Sequence, residues 1–122
     1  MSMDQVLDMS VVEELLSFSD DGDPELVMDL IQMFLADGPC KVQAVTEGLA
    51  AGDLEKAERA AHSLKGSSGN LGAKLLQNAC EEMQLATRYK KLDESRRLGP
   101  TLAQRFTEAE AALRKLLASY QD

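Results

Sequence analysis

The sequence has no tryptophan, one histidine, two cysteines and three prolines among its 122 residues, and aromatic residues make up 4% of it. With so few aromatics, the 44% hydrophobic fraction is filled mostly by Leu, Ala, Val and Met. Such residues suit helix-on-helix packing better than the core of a β-sandwich. A single histidine argues against a zinc or di-iron site of the kind that helical bundles hold. Cys40 and Cys80 form no CxxC pair, and each stands among apolar residues at helical spacing, so both are expected as buried, reduced thiols. No apolar run approaches the roughly 20 residues of a membrane span, and no basic-then-apolar leader opens the chain. A cytoplasmic location is the resulting expectation. Neither a P-loop nor the acidic cluster of a Mg²⁺ site is present.

Excess positive charge is lacking as well. The net charge is −8 and the sequence pI is near 4.6. An acidic surface repels nucleic acids and anionic membranes at long range, which argues against both as partners. The length suits one domain over residues 1–122, with a core that needs no metal or disulfide.

What is present reads as helices. Ser10-Val11-Val12-Glu13 has the capping-box pattern, predicting a short helix that ends near Phe18. Ser19-Asp20-Asp21-Gly22 reads as a loop. Asp23-Pro24-Glu25 supplies an N-cap, a first-turn proline and an acidic residue favoured by the helix dipole. Leu26, Leu30, Met33 and Phe34 then form an apolar stripe. Asp37-Gly38-Pro39 should break or kink this helix. The pattern resumes at Val42, Val45 and Leu49, which favours one long kinked helix. Ala51-Gly52-Asp53 gives the next stop and N-cap. Leu54, Ala57, Ala61, Leu64, Ser68 and Leu71 share one face of the following helix, and Gly72 is placed to end it. Leu76, Ala79, Cys80, Met83 and Ala86 face inward on the next. Asp93 can cap the last helix, whose inner face holds Leu102, Phe106, Ala109, Leu113, Leu116 and Leu117; Gly99-Pro100 can kink it or delay its start. Short connections between long helices favour antiparallel neighbours.

Helical periodicity separates His62 from this core. Taking His62 as zero, Ala57, Ala61, Leu64 and Ser68 fall at roughly 200° to 260°, whereas Glu55, Glu58, Lys65, Gly66 and Gly69 lie within roughly 60° of it. A hydrogen-bonded core histidine fits this placement poorly, but a surface histidine of no role remains open. The glycines shift that balance. Each costs about 1 kcal/mol relative to Ala inside a helix, and close approach of another surface to the imidazole is a natural reason to keep them. Gly69 can also simply begin the helix end. The Lys65 ammonium, one turn away, can reach a phosphate on the ring and offset its charge.

The segment Ala61-His62-Ser63-Leu64-Lys65-Gly66-Ser67-Ser68-Gly69-Asn70-Leu71-Gly72-Ala73 resembles the signature of the histidine-containing phosphotransfer (HPt) family. That signature pairs His-x-x-Lys-Gly-Ser with a Leu-Gly-Ala turn, and the order of helices along the whole chain is similar too. Gly69 stands where the family commonly has Ala. The resemblance implies an all-α fold, an antiparallel up-down four-helix bundle with a short additional N-terminal helix. It implies phosphorylation of His62, with Lys65 offsetting phosphate charge and Gly66 allowing close approach. It further implies that a glutamine on the following helix holds the imidazole, for which Gln84 is the candidate, with Arg88 one turn on near the same surface. Gln77, Glu81, Gln84 and Arg88 read as a polar stripe, so Gln84 need not be buried.

The implied partners are response-regulator receiver domains and a sensor histidine kinase, hybrid or not. The receiver supplies the aspartate and Mg²⁺, and this chain needs no cofactor of its own. On this reading it is a monomeric phosphoryl carrier without independent kinase activity. The competing readings are a phosphorylation-independent adaptor bundle, the substrate domain of a chemotaxis-type histidine kinase, and a purely structural bundle.

Overall fold

Two adjacent exposed residues reverse the chain between two of its long helices. Gly52 adopts a left-handed φ of 72° and ends one helix, while the Asp53 side chain accepts from the Lys56 N–H and starts the next. The computed structural model describes residues 3–19 and 22–121, with side chains from Gln5 onward. Among them, helices form at α1 (Met3–Val6), α2 (Met9–Leu16), α3 (Glu25–Ala51), α4 (Leu54–Asn70), α5 (Lys74–Arg88) and α6 (Leu92–Tyr120). Helix α4 packs against α3 and α5, and α6 closes the ring against both of those helices. The result is the expected four-helix bundle. Its N-terminal addition is a short helix, α2, preceded by the single turn α1.

This N-terminal segment is tied to the α4–α5 turn. The Asp8 N–H donates to the Gly72 carbonyl at 2.7 Å, and Leu7 and Val12 are fully buried. Gly72 is doubly constrained there: its φ is 75°, and a Cβ would lie 2.7 Å from the Asp8 carbonyl oxygen. Asp8, not Ser10, caps α2, accepting from both the backbone N–H and the hydroxyl of Ser10. These bonds hold its carboxyl below the usual range. Helix α2 stops at Leu16, short of Phe18. Of the predicted loop, Asp20 and Asp21 lie outside the described residues.

Pro24, not Asp23, holds the cap position of α3, and neither of the other two prolines ends a helix. Pro39 lies within α3 and Pro100 within α6. Both are exposed, so water can satisfy the carbonyls that lose an intrahelical donor. Accordingly α6 starts well before Gly99-Pro100, and Asp93 occupies its first turn while Lys91 holds the cap position. Asp93 thus acts on the helix dipole and not as a cap.

The core is close to the predicted one on α4, α5 and α6, with Leu54, Ala79 and Leu117 only partly buried. On α3 it differs. Val27, Ile31 and Phe34 are buried, whereas Leu26 and Met33 are exposed and Leu30 is only partly buried. Residues 26–35 are mostly apolar, so several stripes fit the same period and packing against the other helices selects one. Cys80 is buried as expected, but Cys40 is exposed. Among the described residues no helix is long and apolar enough to cross a membrane.

Candidate functional site

Helices α4 and α5 meet along a seam that is apolar inside and polar at its outer edge. Ala57, Ala61, Leu64 and Ser68 turn α4 inward, which carries His62 to the exposed side. The ring is nevertheless held. The Gln84 amide on α5 lies 3.0 Å from His62 Nδ1. Gln84 is only 5% exposed, so the polar stripe of α5 is interrupted at this residue. Its amide is screened from water while the imidazole it touches is not. With the amide nitrogen toward the ring, an N–H donates to the Nδ1 lone pair and the imidazole proton sits on Nε2. Turning the amide by half a revolution lets its oxygen accept from Nδ1–H, which leaves the Nε2 lone pair free.

Gly66, one turn further along α4, faces open space: a Cβ built there meets nothing within 4 Å. Gly69 differs. A Cβ at that position would sit 2.6 Å from the Gln77 side-chain nitrogen, so its missing side chain makes room for α5. Of the two glycines on the histidine stripe, only Gly66 leaves the surface beside His62 clear.

Both cations singled out by the sequence lie on this seam, and both are paired. Lys65 Nζ is 3.4 Å from the Glu81 carboxylate on α5. Arg88 Nε is 3.4 Å from the Glu58 carboxylate on α4. The two helices run antiparallel, so the contacts form successive rungs: Glu58 with Arg88, His62 with Gln84, Lys65 with Glu81, and Gly69 with Gln77. Sequence reasoning placed Glu58 and Glu81 on polar stripes without giving either a role. The available signal was their spacing, since Glu58 precedes His62 by four residues and Glu81 precedes Gln84 by three. Among the described residues, no three His, Cys, Asp or Glu side chains group as a metal site.

Behind the seam, Cys80 is buried one turn from Gln84, and burial pushes its thiol up to about 12. It stays protonated and unreactive at neutral pH.

Residues 29–119 match the family model of the Hpt domain. Multistep phosphorelay regulator 1 of Schizosaccharomyces pombe is 31% identical over 80 residues, which are 66% of this chain and 27% of that protein. The chain therefore spans about a quarter of the length of this curated relative. The crystal structure of histidine-containing phosphotransfer protein B from Pseudomonas aeruginosa PAO1 superposes with a TM-score of 0.85 at 27% identity, covering 95% of this chain and 97% of that one. A putative histidine-containing phosphotransfer protein from rice shares the fold, with a TM-score of 0.80 at 19% identity and coverage of 95% and 82%. With the family model matched over most of the chain and the fold shared throughout, this protein belongs to the Hpt domain family.

Proposed function

We propose that His62 is the phosphoryl-carrying residue, passing the group between aspartates of receiver domains in a two-component phosphorelay. The observation that carries this reading is an exposed imidazole fixed from behind by Gln84 and bordered by the open surface at Gly66. Neutral imidazole is a competent nucleophile near physiological pH. The Nε2 lone pair forms the N–P bond as the acyl O–P bond of the donor aspartyl phosphate breaks, and that electron pair returns to the aspartate carboxylate. The proton on Nδ1 stays in place, accepted by the Gln84 amide oxygen in its turned orientation.

Transfer of this kind depends on positioning and charge neutralisation more than on covalent chemistry by the protein. A rigid helix and the Gln84 bond supply positioning. Gly66 lets the partner surface approach, and Lys65 and Arg88, on either side of the His62–Gln84 rung, offset the phosphoryl charge. The receiver contributes the aspartate and its Mg²⁺. This chain acts as a carrier between a sensor kinase, hybrid or not, and receivers. It works as a monomer in the cytoplasm and needs neither nucleic acid nor membrane.

The test is transfer from a phosphorylated receiver domain to the wild type and to His62→Gln. Wild type should acquire acid-labile, base-stable phosphate, and the variant should acquire none. Equal labelling of the two would overturn the assignment.

A further inference from the structure

We infer that Glu81 and Glu58 are reserve counter-charges: they hold Lys65 and Arg88 in the unphosphorylated protein and release them to the phosphoryl group on His62. This rests on His62 being the carrier.

The rung order supports the exchange. Helical side chains lean toward their own N-terminus. Lys65 follows His62 on α4, and Arg88 follows Gln84 on α5, so both cations lean toward the His62–Gln84 rung. Glu58 precedes His62 and Glu81 precedes Gln84, so both carboxylates lean away from it. The charges alternate across the seam as well. In one rung α4 carries the acid, and in the other α4 carries the base. The four charges sum to zero around the unmodified imidazole.

Magnitudes favour release. Both pairs are partly exposed at 3.4 Å, with side-chain exposures of 33% and 54% for Lys65 and Glu81 and of 56% and 27% for Arg88 and Glu58. Partly exposed pairs of this length change an equilibrium by less than about five-fold. A phosphoryl group brings close to two negative charges and three acceptor oxygens. Carboxylate and phosphoryl both make charge-assisted bonds to a cation, and the phosphoryl group brings the larger charge and one more acceptor oxygen. The competition therefore goes to the phosphoryl group, while each carboxylate sets how much of that gain is kept. Glu81 and Glu58 are positioning residues in this scheme; neither touches the reacting atoms.

The experiment loads His62 with phosphoramidate. The Nε2–P bond forms as the donor's P–N bond breaks, and ammonia leaves with the protons it already carries. Phosphorus NMR then follows the titration of the phosphoryl group in wild type, Glu81→Gln, Lys65→Ala and the double variant. Glu81→Gln should lower the phosphoryl pKa by about 0.3–0.7, which corresponds to a two- to five-fold gain. The same variant should raise occupancy of phospho-His62 two- to five-fold at equilibrium with a fixed phosphorylated receiver domain. In the Lys65→Ala background both effects should fall by more than half. Glu58→Gln should behave likewise against Arg88→Ala. No change in Glu81→Gln and Glu58→Gln, or an equal change with and without the cation, overturns the inference and leaves His62 as the carrier. Failure of wild type to take up any His62-dependent label overturns the carrier assignment together with it.

Discussion

Gly38 on the α3–α6 seam and Gly66 on the α4–α5 seam both lie inside long helices, where glycine is a poor choice, yet they face opposite surroundings. A Cβ at Gly38 would lie 2.5 Å from Phe106 Cε1, in the core. That ring stacks on Phe34, with centroids 5.5 Å apart. A Cβ at Gly66 would meet nothing. The first glycine is kept for contacts within the molecule. No contact among the described residues accounts for the second. The seams differ in the same sense throughout. The α3–α6 side is closed by apolar packing and by Arg96, whose Nε donates to the Leu49 carbonyl at 2.9 Å at the end of α3. The outer edge of α4–α5 is polar and weakly paired. The α3–α6 contact is anchored by Arg96 and the stacked rings, whereas the α4–α5 contact carries partly exposed ion pairs along its outer edge.

The same substitution at both glycines separates the two surroundings. Gly38→Ala should destabilise the protein by about 1–3 kcal/mol, because the packed Phe106 ring has to move, and denaturant unfolding measures this. Phosphotransfer per folded molecule should stay at the wild-type rate. Gly66→Ala should do the reverse, stabilising by about 0.5–1 kcal/mol through helix propensity. It should also slow transfer from a receiver by roughly three- to tenfold, since a misplaced partner loses alignment. Stabilisation with undiminished transfer would remove the argument that Gly66 serves a partner.

The smallest effect concerns the cysteines. The Cys80 thiol ordinarily ionises near 9.0 and is held near 12 in the fold. Between these values the unfolded chain loses a proton that the folded chain keeps. Cys80 thus contributes no penalty below pH 9, and stability falls as pH rises from about 9 toward 12. Unfolding titrated over that range should show a shallower fall in Cys80→Ala. Native alkylation should label exposed Cys40 and spare Cys80.

Much of this was legible in advance, for local reasons. The Gly52-Asp53 stop and cap are dictated by residue type, as is the end of α4 near Gly72. The periodicity of Ala57, Ala61, Leu64 and Ser68 placed His62 outside the core, because rotation about a helix axis follows from spacing alone. The start of α2 is different, since Asp8 lies closer to the helix start than the capping-box residue Ser10. Asp93 and Cys40 differ as well, since whether a residue caps a helix or stays exposed depends on where the neighbouring helix ends.

Residue type and spacing thus specify the helices, the all-α class and the stripe that presents His62 with Lys65 and Gly66. The burial of Gln84 and its bond to the imidazole, the room that Gly69 leaves for Gln77, and the pairing of Lys65 and Arg88 are set by the packed bundle. Those facts depend on the relative register of α4 and α5. That register follows from side-chain packing between residues far apart in the chain, which the periodicity of either helix does not encode.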